Sequence, residues 1–350
     1  MTITDYPRPA QGTAAGHKQA ALRVRLAART PLADGVVALS LVPNDPAPLP
    51  PWTPGSHIDV RLPGGLVRQY SLCGDPASPL GWRVAVLLER DSRGGSTLVH
   101  HVLAEGDELT VSRPRNHFEL CETGSYLFIA GGIGITPILP MIAQAERLGR
   151  RWRLAYAGRS RATMAFLDEL GRYGDKVTLW PRNETGRIDL PTLLATVTRA
   201  AGAPGSGEAA DTSGPLSTAV YCCGPVSLLD DVARHCDVLG LPAGTLHVER
   251  FTPRGGASGN AGDSFEVELA SSGQVIAVDD GQSVLSALRG VGVEVLSSCE
   301  EGSCGTCETG VLSGVPDHHD TVLTPAERAA CDLMMVCVSR SKTPRLVLDL

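Results

Sequence analysis

The 350-residue chain sets 31 lysines and arginines against 38 aspartates and glutamates, for a net charge of −7. That balance argues against nucleic-acid binding, which draws on clustered positive charge, while a hydrophobic content of 43% is ample for two or three packed cores. The start, MTITDYPRPAQGTAAGHKQA, holds no apolar segment of signal-peptide type, and no apolar run approaches the roughly eighteen residues of a membrane span. Ten cysteines in so long a chain do not read as a disulfide framework, so a soluble protein of the reducing cytoplasm is expected.

In chain order, residues 1–18 are polar and rich in Pro, Gly and Ala, and are expected to be disordered. ALRVRLAART, GVVALSLVP, HIDVRLP, VRQYSLC, WRVAVLLE and DELTVSRP then carry alternation or β-branched residues. Six short strands at this spacing predict a closed antiparallel β-barrel. From Tyr126 the pattern changes to apolar strands (YLFIAGG, RWRLAYAG, KVTLWPR, STAVYCCGP) separated by helical segments. That alternation predicts a doubly wound parallel α/β sheet. Two stretches rich in Gly, Ser and Pro, 202–217 and 253–263, are expected to be a surface loop and a linker. Two strands around a Ser-Gly turn (FEVELASSGQVIAVDD), an amphipathic helix (SVLSALRGVG) and a cysteine loop complete the chain.

Three motifs carry chemistry. Arg68-Gln69-Tyr70-Ser71-Leu72 sits on a barrel strand. An arginine there can pair with a phosphate, a tyrosine can lie along an isoalloxazine ring, and a serine can reach the atom that receives hydride. Gly94-Gly95-Ser96-Thr97 follows at a helix start, where backbone N–H groups face an anion. R-x-Y-S alone fits an ordinary edge strand equally well.

Gly131-Gly132-Ile133-Gly134-Ile135-Thr136-Pro137 joins the first parallel strand to its helix. It is not G-x-G-x-x-G, but its glycines permit close approach of a pyrophosphate. Thr136 is expected to cap the helix and Pro137 to be its first residue. Cys222-Cys223-Gly224-Pro225 ends the last apolar strand, at the sheet edge where ligands bind. Both cysteines could be plain core residues, and Cys223 is the one expected to line the site. Arg159 and Arg161 could hold a ribose 2′-phosphate or form a solvated loop, leaving NADH against NADPH open on this ground.

Cys299, Cys304 and Cys307 stand in C-x4-C-x2-C, and Cys337 follows after twenty-nine residues. That spacing is the plant-type ligand pattern of a [2Fe–2S] cluster. Gly302 and Gly305 permit a tight loop, and Ser298 and Ser303 could add donors. Cys337 is expected on the strand LMMVCVS, and Cys331 is set aside because it falls in a helical segment. A zinc site is the alternative for four cysteines, although zinc ribbons pair two C-x2-C knuckles and only one is present. His318 and His319 are expected on a surface loop.

The ordered set of R-x-Y-S-L with GGS, GGIGITP with YCCGP, and C-x4-C-x2-C…C resembles the phthalate dioxygenase reductase family, with vanillate demethylase reductases nearby, from about residue 20 to Leu350. The resemblance implies an FMN-binding barrel (19–121), an NADH-binding α/β domain (122–250), a linker (251–263) and a plant-type ferredoxin domain of α+β β-grasp form (264–350). Arg68, Tyr70 and Ser71 match the flavin strand, and Gly95 and Ser96 the phosphate turn. Gly132, Gly134, Thr136, Cys223 and Gly224 fall in the nicotinamide motifs, and Ser71 and Cys223 take the positioning roles in hydride transfer. Phe251, in HVERF, resembles an aromatic that covers the flavin, with Glu249 nearby. One departure is Glu89, which stands near where similar reductases carry a basic residue. The implied route runs from NADH through FMN and the cluster to a Rieske-type terminal oxygenase, with a haem-thiolate monooxygenase as the alternative acceptor. A non-enzymatic zinc-binding protein is the third reading.

Overall fold

Alternating apolar residues fold the first segment into strands β1 (Leu22–Ala33), β2 (Val36–Pro43), β3 (Ser56–Arg61), β4 (Val67–Ser71) and β5 (Trp82–Leu87), helix α1 (Gly95–His101), and strands β6 (Glu108–Val111) and β7 (Arg115–Asn116). This is a computed structural model, and it describes residues 21–78, 80–89, 94–202, 218–251, 264–297, 299, 300, 302 and 304–350. The expected disordered start, most of the 202–217 loop and of the 251–263 linker, and Ser298, Glu301 and Ser303 lie outside the described residues.

The six main strands pair in the order β4-β3-β6-β1-β2-β5, with β7 beside β3. A bridge between Leu72 and Val84 joins the two ends and closes the antiparallel barrel. Closure pairs the two end strands with each other instead of leaving both open. Register shifts in β1, at Leu26/Ala28 and Pro31/Ala33, add the curvature that closure needs. Val24, Leu26, Leu39, Leu41, Ile58, Val60, Leu72 and Val84 fill the interior.

The second layer contains β8 (Ser125–Gly131), α2 (Ile135–Arg147), β9 (Arg151–Gly158), α3 (Leu167–Gly171), β10 (Val177–Pro181), α4 (Arg182–Thr185), α5 (Leu190–Gly202), β11 (Thr218–Cys223), α6 (Val226–Val238) and β12 (Leu246–Glu249). All its strands are parallel, in the order β10-β9-β8-β11-β12. The chain reverses its direction of travel between β8 and β11, so the crevice at their carboxyl ends is the expected ligand position. Barrel and sheet share one core, because Val36, Cys73, Ala85 and Phe118 pack in the same cluster as Phe128, Ile138 and Tyr156. Residues 21–254 accordingly form one compact unit. Arg83 of β5 also holds Glu169 of α3 in a two-pronged contact of 2.6 and 3.0 Å and lies over the Phe166 ring.

The second compact unit contains β13 (Phe265–Leu269), β14 (Val275–Val278), α7 (Val284–Gly290), β15 (Glu308–Ser313), β16 (Pro316–Asp317), α8 (Pro325–Ala330), β17 (Leu333–Met335), β18 (Arg340–Ser341) and β19 (Arg345–Leu348). Its main sheet runs β14-β13-β19-β15-β17, with β13 and β19 parallel. Ser283 caps α7 by accepting from Ser286 N, and the helix buries Val284, Leu285, Ala287 and Leu288. The whole is an antiparallel barrel, a doubly wound parallel layer and an α+β domain, as the strand patterns require. No described helix is long and apolar enough to cross a membrane.

Candidate functional site

Three side chains meet where the barrel joins the parallel sheet. Ser71, the last residue of β4, donates to Glu249 Oε2 at 3.4 Å, and Cys223 Sγ, at the carboxyl end of β11, lies 3.9 Å from the same oxygen. Glu249 ends β12, directly across the ladder from Cys223. The topology therefore brings Ser71 and Cys223 together through a third group, Glu249. Burial pushes the Glu249 carboxyl up to about 8, against the bonds from Ser71 and Cys223, which favour its ionised form. Glu249 keeps part of its residue surface exposed while its carboxyl head lies deep in protein. Burial also holds the Cys223 thiol well above the usual range, with Glu249 adding to the effect. Cys223 is therefore a neutral thiol and an unsuitable nucleophile, which suits a positioning role.

Tyr70 precedes this cluster, and burial raises its phenol to about 12. Arg68 folds back over the start of α1 and donates to Val67 O at 2.8 Å. A Cβ placed on Gly95 would stand 2.5 Å from Arg68 Nε, so the arginine lies tight against this glycine. Ser96 turns its hydroxyl to accept from Glu89 N at 3.1 Å. The exposed Glu89 thus contributes its backbone to this turn. Phe251 lies just beyond β12 and is 42% exposed, available to an incoming ring rather than spent in the core.

The glycine turn departs from expectation in two ways. Helix α2 begins at Ile135 after a 3-10 turn (Gly132–Gly134), so Pro137 is its third residue. Thr136 lies inside the first turn and donates from Oγ1 to Ile133 O at 2.9 Å, which makes it a first-turn residue and not the cap. The proline remains harmless there, because the first four helical N–H groups have no partner within the helix. The glycines also divide their work. A Cβ on Gly134 would meet Cys223 O at 2.4 Å, and one on Gly131 would meet Pro225 Cδ at 2.7 Å. Both glycines let this turn dock on Cys223-Gly224-Pro225. Gly132, with φ of 55° and nothing within 4 Å, is the one left open to a ligand. Gly134→Ala is expected to destabilise the barrel–sheet unit by about 1–3 kcal/mol, since backbone cannot yield as a side chain can. Gly132→Ala, strained only by its φ, should cost roughly 1 kcal/mol. Thermal unfolding of the two variants checks that ranking.

Cys222 and Cys223 are both fully buried, on opposite faces of β11. Cys222 packs with Leu194, Leu229 and Val232, and Cys223 with the core shared with the barrel. Arg161, one of the two arginines expected near the ribose, pairs with Glu184 at 2.9 Å, and both side chains are about half exposed.

The metal-ligand candidates converge in the second unit. Cys304, Cys307 and Cys337 are at most 5% exposed, and Cys299 is partly exposed. Cys304 and Cys337 are both raised far above an ordinary thiol, first through hydrogen bonding to Cys299, with Cys307 also bonded to Cys337. The four sulfurs are thus linked in the order Cys304, Cys299, Cys337, Cys307, and thiols so linked hold their protons until a cation replaces them. Gly302 and Gly305, with φ of 69° and 72°, turn the loop, and a Cβ on Gly302 would stand 2.5 Å from Val338. Thr306 N donates to Cys304 Sγ at 3.4 Å, the kind of backbone bond that tunes a cluster's potential. Arg289 of α7 pairs with Glu300 at 2.8 Å, tying the helix to the loop beside the first ligand.

Two details differ from expectation. Strand β17 ends at Met335, and Cys337 sits in the turn after it, because Val338 N and Ser339 N both bond back to Met335 O. His318 is only 7% exposed at its side chain, 3.7 Å from the buried Asp320, whereas His319 is exposed and bonds Asp317. Cys331 takes φ of 56° just past α8 and directs its sulfur to Arg328 O.

Comparison with known proteins bears on the family and the fold. Residues 267–342 match the 2Fe-2S iron-sulfur cluster binding domain. The chain is 42% identical over 304 residues to the phenoxybenzoate dioxygenase subunit beta of Ectopseudomonas oleovorans, covering 86% of this chain and 89% of that one. The solved structure of phthalate dioxygenase reductase superposes with a TM-score of 0.66 at 35% identity, covering 94% and 98% of the two chains. An intact type IV self-sufficient cytochrome P450 monooxygenase superposes with a TM-score of 0.83 at 42% identity over 94% of this chain, which spans 41% of that longer one. Fold and site define an NAD(P)H-dependent oxidoreductase, a flavoprotein with an iron–sulfur domain built for electron transfer. The chain belongs to the phthalate dioxygenase reductase family.

Proposed function

We propose that this protein is the NADH-dependent reductase component of an oxygenase system, with FMN in the barrel and a [2Fe–2S] cluster on Cys299, Cys304, Cys307 and Cys337. The observation that carries the reading is the meeting of Ser71, Glu249 and Cys223 at the switch point of the parallel sheet, in a chain that also brings four thiols together. When bound, the flavin would supply the chemistry that takes up one hydride, two electrons, and passes them on singly to an iron–sulfur centre. The chain's own residues bind and orient. Arg68, lying against Gly95, supplies a fixed positive charge for a phosphate, with Ser96 beside it. Tyr70 offers a ring face with its phenol protonated, and Phe251 an exposed aromatic surface. Gly132 leaves room for the dinucleotide and Gly224 lets the end of β11 pack against Gly131, while the neutral Cys223 and the Ser71 hydroxyl set the facing distance of two rings, an orientation effect.

NADH rather than NADPH is proposed on the likeness to phthalate dioxygenase reductase. The proposed acceptor is a Rieske-type terminal oxygenase, as the names of dioxygenase relatives suggest. Such electron-transfer contacts are small and transient, and the rim of the cysteine loop at Glu300 and Glu308 is the proposed surface. The similarity to a self-sufficient P450 favours a second reading, with a haem-thiolate monooxygenase as acceptor. Reconstitution with each acceptor class, following NADH consumption coupled to product, separates the two. The composition is tested by extracting and identifying the flavin while counting iron and acid-labile sulfide. FAD, or zinc in place of iron, would overturn it.

Arg68→Ala is expected to weaken flavin retention by about 10–100-fold, the loss of a charge-assisted phosphate contact of roughly 1.5–3 kcal/mol. Flavin absorbance per chain after gel filtration measures it, and full occupancy would remove Arg68 from the site.

A further inference from the structure

Outside the site already described, one nucleophile is set up with the precision of a reactive group. All ten cysteines lie among the described residues, and Cys121 alone is exposed. It precedes β8, and both of its backbone polar groups are tied to tyrosines. Cys121 N donates to the Tyr221 hydroxyl at 2.7 Å, and the Tyr126 hydroxyl donates to Cys121 O at 2.7 Å. Tyr221 completes its own bonding by donating to Glu119 O at 2.8 Å. The sulfur faces an imidazole, with Cys121 Sγ 3.8 Å from His247 Nε2. That ring is itself held. It stacks flat on Tyr221, with centroids 4.5 Å apart at 9°.

With Nε2 turned toward the sulfur, the neutral ring that carries its hydrogen on Nδ1 presents a lone pair to the thiol. A thiol, a base within reach and a third group that orients the base form the arrangement that activates a nucleophile. Buried cysteines in this chain have no such neighbour together with access to solvent. Cys331, partly exposed, directs its sulfur to a backbone carbonyl.

We infer that Cys121 and His247 form a thiol–disulfide exchange site that takes low-molecular-weight disulfides. In the exchange, the Cys121 Sγ–H proton passes to His247 Nε2 and Sγ attacks one sulfur of R–S–S–R. The new Sγ–S bond forms as the old S–S bond breaks. The departing RS⁻ takes the proton back as RSH. Cys121 is oxidised, one R–S group is reduced, and no further reagent is needed.

The test uses the full-length holoprotein with oxidised glutathione as probe at pH 7, read by intact mass and peptide mapping over time. Cys121 is expected to carry the first adduct, at least three times faster in the native protein than in the same chain unfolded in urea. Exposure alone predicts the reverse order, because the unfolded thiol is fully accessible. His247→Gln is expected to slow the native reaction about tenfold while ferricyanide reduction by NADH stays intact, and Cys121→Ser to remove the fast adduct. The inference is overturned if the unfolded chain reacts at Cys121 as fast as the native one, or if another cysteine is modified first. Equal rates for wild type and a His247→Gln protein that retains ferricyanide reductase activity would overturn it as well. The native-against-unfolded comparison needs no variant, so a misfolded His247→Gln leaves it decisive.

Discussion

Cys304→Ala is expected to abolish reduction of a one-electron protein acceptor while NADH still bleaches the flavin. The two functions reside in different compact units, residues 21–254 and the cysteine-loop domain, so removing a ligand from one leaves the other's side chains in place. Cys304 is 2% exposed and bonds Thr306 through both its thiol and the Thr306 backbone N–H, so it is anchored as well as central. Loss of a ligand should exceed the roughly 10–100-fold cost of losing a mere supporting hydrogen bond to one. Stopped-flow absorbance of the flavin, alongside reduction of cytochrome c or a purified oxygenase, reads both halves in one sample. Loss of NADH bleaching together with acceptor reduction would contradict this division of labour. A variant that still reduced the acceptor at full rate would remove Cys304 from the ligand set.

The second large effect concerns Glu249. Its carboxyl sits at about 8 in the folded protein against an ordinary 4.5, and burial is the first cause. Between those values the folded chain keeps a proton that the unfolded chain has lost, so raising the pH through this window favours unfolding. The proton-linked stability is complete below about pH 4.5 and gone above about 8. With one pKa unit worth about 1.4 kcal/mol, and allowing for the residue's partial exposure, the loss is of order 3 kcal/mol. Denaturant unfolding of the flavin-free barrel–sheet unit at pH 5 and pH 8 measures it. Glu249→Gln carries an amide of the same shape that cannot ionise, and its midpoint should change much less between those two values. The same substitution predicts a kinetic signature. At pH 7 the wild-type carboxyl is mostly protonated and resembles the amide, so flavin reduction should be similar in the two proteins. Above pH 8 the wild type should slow as a charge appears between Ser71 and Cys223, while the variant stays flat. Identical pH profiles would show that Glu249 does not titrate in the window.

The fold was legible in this sequence because each layer repeats a simple period. Barrel strands alternate, the parallel strands are continuous apolar runs, and the cysteine spacing is itself a local constraint. Side chains that meet only through topology were harder to read. Ser71 and Cys223 announced themselves by motif, whereas the resemblance put Glu249 only nearby; its place between them, on a short edge strand, comes from the Cys223–Glu249 register. A carboxylate at the end of a strand looks like a solvated terminus until its neighbours are placed. The Arg83–Glu169 contact, eighty-six residues apart, had no sequence signal at all. Local cues also misled by a turn. Thr136-Pro137 has the look of a cap and first residue, yet the preceding 3-10 turn starts α2 earlier because Gly134 must dock against Cys223. Cys337 was read onto an apolar strand, and the bonds back to Met335 instead lift it into a turn. In both places tertiary contact overrode a sound local preference.

The placement of β19 bears on how the protein is made. Of the described strands, Arg345–Leu348 is synthesised last, yet it occupies the middle of its sheet, between β13 and β15. Every cysteine of the metal loop leaves the ribosome before the strand that lets the sheet close. The barrel–sheet unit can therefore fold during translation before this domain is complete, while the cysteine-loop domain must wait for Arg345–Leu348. A deletion confined to those four residues would strip the domain of its central strand while leaving all four candidate ligands in place.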